Sequence, residues 1–166
     1  MAKALTGRGR HTVLPIVGDT LVELRLGAGG RPAFVFGAVG GGEAELTVAG
    51  LVRLRRGEYE RPLGGARPGP GFDPRGLAPL VELLGGEVRD AVAGADGRLR
   101  VAFANGMALE VAPAGPGEGW EFRRPRPARR AGGRGRPCFL AGAPGRLVFA
   151  AEPPYVLDHL NKNSDS

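Results

Sequence analysis

Residues 123–136 read RRPRPARRAGGRGR, and this run is the part of the chain best equipped to engage a partner chemically. It holds seven arginines, Arg123, Arg124, Arg126, Arg129, Arg130, Arg134 and Arg136, with no acid and no lysine between them. A guanidinium is planar, stays charged and presents its N–H donors as a rigid fork, which matches the paired oxygens of a carboxylate or phosphate. Proline and glycine among the arginines keep the segment extended and unable to pack, so the charges stay available. The chemistry expected of the run is therefore capture of a polyanion, with nucleic acid the commonest, or of an acidic protein partner. Interleaved aromatic residues would add base stacking, but the run has none, so recognition of individual bases is poorly supported. The competing reading is a solvated insertion without a partner, since Arg, Ala, Gly and Pro are also what a GC-rich genome supplies.

The run accounts for all of the positive charge. The chain carries +6 and the run +7, which leaves the other 152 residues at −1. A pI near 10.6 thus describes a near-neutral domain with one basic loop, not a basic domain.

Elsewhere the chemically capable residues are dispersed. His11 and His159 lie near opposite ends, whereas a metal site or a histidine base needs rigid, convergent partners. Cys138 is the sole cysteine, which excludes an internal disulfide and a multi-cysteine zinc site. Its apolar neighbours mark it as a core thiol rather than a reactive one. Gly40-Gly41-Gly42 and Gly29-Gly30 are followed by no helix start and no Lys-Ser/Thr, so they read as hairpin loops and not as phosphate loops. Trp120 beside Phe122 reads as core, with its indole N–H satisfied by a backbone carbonyl. The carboxylates are scattered, mostly on the polar phase of strands or in turns. No nucleophile–base pair, metal cluster or cofactor loop is visible, so we expect no catalytic residues, no metal and no cofactor.

The elements that must position these residues are mainly strands. Alternating segments occur at Val13–Leu26, Leu51–Arg55, Leu99–Phe103 and Met107–Val111, with shorter ones at Pro32–Phe36, Glu45–Val48, Glu87–Val92, Trp120–Phe122, Pro137–Leu140 and Arg146–Ala151. Within the first, Leu21, Glu23 and Arg25 face one way and Val22, Leu24 and Leu26 the other. Asp96-Gly97 and Asn105-Gly106 make 87–112 a three-stranded meander, and Asn105-Gly106 predicts a two-residue turn with both residues at positive φ. One helix is expected at Leu77–Leu84, where Leu77, Leu80, Val81 and Leu84 form an apolar stripe ended by Gly85-Gly86. The expected fold is α+β, an antiparallel sheet of about eight strands with one short helix packed on it. It forms a single domain over 11–155, with a mobile loop at 123–136, a flexible N-terminus at 1–10 and a flexible tail at 156–166.

The order of these features resembles an uncharacterised family of small bacterial proteins, common in high-GC bacteria and known as a domain of unknown function. The resemblance rests on the helix LAPLVELLGG, the hairpin RLRVAFANGMALEV and the later GWEF. Phe103, Asn105, Gly106, Leu109 and Val111 match the family's strand pair, and Trp120-Glu121 its Trp-Glu pair. It covers 75–150, and 13–56 more loosely. It implies no activity, and members resemble this chain except at the arginine run, where they carry a short link. No stretch reaches the ~18 apolar residues of a membrane span, and the N-terminal apolar segment is broken by polar residues, so we expect a cytoplasmic protein without a membrane partner. Two partner classes follow. The first is a protein, for a small non-enzymatic binding module. The second is nucleic acid bound without sequence preference, for an accessory protein acting through the arginine loop.

Overall fold

The alternating segments become strands, but they divide between two sheets. The computed structural model describes residues 11–26, 31–63, 78–113, 117, 119–124 and 138–150. Among them are β1 (His11–Val13), β2 (Thr20–Leu26), β3 (Pro32–Gly37), β4 (Glu43–Val48), β5 (Leu51–Arg56) and β6 (Tyr59–Leu63). A 3-10 helix (Ala78–Leu83) precedes β7 (Val88–Gly94), β8 (Leu99–Phe103), β9 (Met107–Ala112), β10 (Trp120–Arg124), β11 (Cys138–Ala143) and β12 (Arg146–Ala150). The first sheet has the order β1-β7-β8-β9-β5-β6 and the second β12-β11-β10-β4-β3-β2. All pairings are antiparallel. The fold is mostly antiparallel β with one short helix, as the alternation implies.

Two features separate it from a single sheet of about eight strands. The segment 13–26 does not stay in one strand. Around Pro15 and Gly18, whose φ is 88°, the chain turns and passes from the first sheet (β1) to the second (β2). Strand β6 (YERPL) carries no alternation and contains Pro62, which removes a backbone donor. It is tolerated because β6 is an edge strand. The inward faces of both sheets meet in one core, with Phe34, Leu46 and Phe122 from the second sheet packed in the same cluster as Leu54, Val101 and Leu109 from the first.

Three local expectations are corrected. In β2, Leu21 pairs with Phe36 and Glu23 with Val35, so Val22 is the extra residue of a bulge. The bulge resets the alternation: Leu21 is buried and Leu24 also packs on the core, while Glu23 and Arg25 face out. In the helix, the turn is 3-10, not α. Three residues per turn put Leu80 and Leu83 on the buried side, at 2% and 0% exposed, and leave Val81 and Leu84 at 60% and 42%. The α period of the expected stripe fails because Pro79 and Gly85-Gly86 leave only six residues, too few to establish α turns. Leu77 lies outside the described residues. In the β8–β9 hairpin only Gly106 has positive φ, 83°, and Asn105 does not. The Gly106 N–H bonds Phe103 O at 3.1 Å and Asn105 Oδ1 accepts the Met107 N–H at 3.0 Å. The connection is a three-residue loop closed by a left-handed glycine, and it shifts the register so that Val101 faces Leu109.

The expected core role of Trp120 holds. Its ring is buried and its Nε1–H donates to Gly97 O at 2.7 Å, tying the β7–β8 turn of the first sheet to β10 of the second. Gly142 lies beside it, where a Cβ would overlap both Trp120 Nε1 and Gly97 O. No helix among the described residues is long and apolar enough to cross a membrane. The expected ends at 1–10 and 156–166, the Gly29-Gly30 loop, and residues 64–77 and 125–137 lie outside the described residues, as does the side chain of Cys138.

Candidate functional site

The arginine run divides at the end of β10. Arg123 and Arg124 are strand residues, paired with Phe139 and Cys138 of β11. Arg123 faces outward on the second sheet. Its Nη2 lies 3.0 Å from Glu121 Oε2, and its guanidinium sits 5.8 Å from the centre of the Phe139 ring. Arg124 has the opposite phase and reaches across the end of the sandwich to the β1–β2 turn. There Nη1 donates to Pro15 O and to Asp19 Oδ2, the latter at 3.1 Å. Asp19, 7% exposed, is the one buried charged residue among those described. The same turn buries Leu14 and Ile16. Arg124 therefore holds a turn whose apolar residues complete the core. The remaining members of the run, Arg126, Arg129, Arg130, Arg134 and Arg136, lie outside the described residues.

The outward face of the first sheet brings together charged groups that no single segment of sequence reveals. Alternation in LVRLRR and RLRV places Arg53 and Arg55 of β5 and Arg100 of β8 on the polar phase. The registers then align Val92, Arg100, Glu110 and Arg53 across β7, β8, β9 and β5. These residues line a cleft of about 760 Å3, along with His11, Leu51, Asp90, Asp96, Arg98 and Pro113. Arg53 Nη1 meets Glu60 Oε1 at 2.7 Å, a true hydrogen bond. The other pairs are longer: Arg98 to Asp96 at 3.6 Å, Arg100 to Glu110 at 3.7 Å and to Asp90 at 4.0 Å, and Arg55 to Glu110 at 3.5 Å. Carboxylates thus orient the arginines without saturating them.

Of the two histidines, His11 lies at the rim of this cleft and His159 lies outside the described residues. Asp90, Asp96 and Glu110 gather in the cleft, each beside an arginine. Among the described residues no group of three or more His, Cys, Asp or Glu side chains could hold a metal ion. On the second sheet, Arg25 donates to both carboxylate oxygens of Glu23, at 2.7 and 2.8 Å, and these bonds hold the Glu23 carboxyl below its ordinary range. Gly40-Gly41-Gly42 forms the β3–β4 turn, as expected of a hairpin loop, with Gly41 and Gly42 at positive φ.

An antiparallel two-sheet β protein, with a charged cleft across the outer face of one sheet, is the class that the fold and this face define. The model of a family of unknown function, DUF6188, matches residues 11–135, and the chain belongs to that family. The matched span takes in β1 through β10, including the hairpin and the Trp120-Glu121 pair that carried the resemblance. No curated protein and no solved structure matches the chain.

Proposed function

We propose that the protein is a small non-enzymatic binding module of the cytoplasm that acts on a protein partner, and that the outer cleft of the first sheet meets that partner. The observation that carries this reading is the cleft itself, with arginines on a rigid sheet, each beside a carboxylate, over a floor of small and aliphatic residues. Arginine is enriched at protein interfaces, and side chains already oriented lose less freedom on binding. The chemistry on offer is hydrogen bonding and ion pairing to another chain.

Ala112, opposite Leu51 in the register, is half-buried on the cleft floor. Ala112→Trp would fill the cleft with an indole. Affinity capture from the native host is expected to yield one partner in near-stoichiometric amount with the unaltered chain. The Ala112→Trp chain, with an unchanged melting curve, should lose that partner. Retention of the same partner would place the contact elsewhere.

A second reading, a nucleic-acid-associated accessory protein, is favoured by the five arginines between 125 and 137, a stretch that contains no acid. A gel-shift series on single- and double-stranded nucleic acid at rising salt tests it. Binding that falls steeply with salt, and vanishes when Arg126, Arg129, Arg130, Arg134 and Arg136 are changed to serine, supports it. No shift even at ~50 mM salt, where such contacts are strongest, rules it out.

A further inference from the structure

We infer that two copies of this chain pair through β12, antiparallel and about a two-fold axis, so that their second sheets join into one. This surface goes beyond the cleft reading, since β12 belongs to the second sheet and the cleft to the first. The inference comes from comparing the strands at the sheet edges, β1 and β6 of the first sheet and β2 and β12 of the second. An edge strand offers unpaired N–H and C=O groups to another chain unless something blunts it. Strand β1 has three residues, too few to template a partner. Strand β6 carries Pro62, which has no N–H to give, beside the charged Glu60 and Arg61. Strand β2 is bulged at Val22, and part of its edge is already taken. The Leu21 N–H donates to Gly86 O at 3.0 Å, and Leu21 O accepts the Gly85 N–H at 2.8 Å. Strand β12 (RLVFA) has none of these devices. Its register with β11 runs unbroken from Arg146 to Ala150, it contains no proline, and its one charge stands at its first residue. Among the described residues its outer edge has no partner strand.

The hairpin fixes which backbone groups face outward. Ala143 pairs with Arg146 across the two-residue loop Pro144-Gly145. Such a loop closes on a pair that exchanges both backbone hydrogen bonds. Bonded and non-bonded pairs then alternate along the ladder, so Val148 bonds Ala141 as well. The N–H and C=O groups of Leu147 and Phe149 therefore point away from β11.

That spacing is self-complementary. With Val148 on the two-fold axis, Leu147 of each copy meets Phe149 of the other, and both donors and both acceptors are satisfied. Arg146 falls opposite Ala150 of the other copy, so no like charges meet across the join. Leu147 packs on the core, which puts Val148 on the outer face in phase with Ala141. Val148 is half-buried there, and its counterpart would lie directly beside it.

The test is sedimentation equilibrium of the full chain from about 1 to about 500 μM, a range that covers the modest affinity of a contact smaller than a standard interface. A monomer–dimer equilibrium is expected. The chain carries +6, so two copies repel and association should strengthen as salt rises. A contact between mixed-charge clefts would weaken instead. Val148→Lys and Val148→Glu each place like charges opposite one another at the axis and should weaken self-association by more than about tenfold. Mixing the two variants should restore a dimer. Tyr59→Lys, on the β6 edge, should leave association unchanged.

Amide hydrogen exchange on the unaltered chain gives a second readout that needs no variant to fold. The Leu147 and Phe149 amides should exchange slowly at high protein concentration and rapidly at low concentration, while the Val148 amide stays protected at both. A monomer throughout the range, association that weakens with salt, or a dimer indifferent to both Val148 variants would overturn the inference. Protection of Leu147 and Phe149 that does not depend on concentration would also overturn it, since the edge would then be covered within one chain.

Discussion

Trp120→Ala is expected to destabilise the protein by about 3–5 kcal/mol, the usual loss for a buried tryptophan. The ring is 1% exposed, so its removal opens a cavity between the sheets. It also strips Gly97 O of the indole N–H at 2.7 Å, and an unsatisfied buried acceptor adds its own penalty. Trp120→Phe separates the two effects, since it keeps most of the apolar contact and loses only the bond, for a drop of about 1–3 kcal/mol. Urea unfolding followed by circular dichroism checks both. A midpoint unchanged in Trp120→Ala would mean that the contact between the sheets does not depend on this ring. The effect should extend to the cleft, because the β7–β8 turn that Trp120 holds also carries Asp96 and leads into Arg98.

The second large effect divides the arginine run. Arg124→Ser is expected to lose about 1–3 kcal/mol, the range for a hydrogen bond to a charged group with some allowance for solvent screening. Its side chain is 25% exposed and the side chain of its partner Asp19 10%, so part of the pair's attraction is shielded from water. The substitution leaves Asp19 short of its cation and Pro15 O short of a donor, and it frees the turn that buries Leu14 and Ile16. Serine at Arg126, Arg129, Arg130, Arg134 and Arg136 together should stay within about 0.5 kcal/mol, as for surface changes generally. Thermal melts of the two chains side by side make the comparison. Equal melting temperatures would show that Arg124 contributes no more than its neighbours in the run.

Much of the strand content was legible because period-two alternation is local. LRVAF and MALEV announce their buried phase through neighbours one and two residues away, and Leu99, Val101, Phe103, Leu109 and Val111 are all buried. The turns at Gly41 and Gly97 were equally local, since glycine adopts positive φ without strain. The helix and the Asn105-Gly106 turn show where local rules compete. Both elements were found in place, but a six-residue helix fits three residues per turn better than 3.6, and the hairpin adopts one more loop residue than its Asn-Gly signal suggests.

The composition of the site was not legible. Seven closely spaced arginines read as one loop, yet the ladder that β10 forms with β4 reaches Arg123 and the one it forms with β11 carries the strand through Arg124. That extension depends on pairing with residues far away in sequence. The cleft likewise draws on β1, β5, β7, β8 and β9, and Arg53 comes to lie beside Glu110 only because β5 pairs with β9. The sequence alone determined which residues alternate, where the chain can turn and how charge is distributed along it, since these follow from neighbouring side chains and backbone sterics. Which strands become neighbours, which arginines become structural and which carboxylates meet which cations were decided by the tertiary structure, because long-range pairing is selected by burial of the whole core at once.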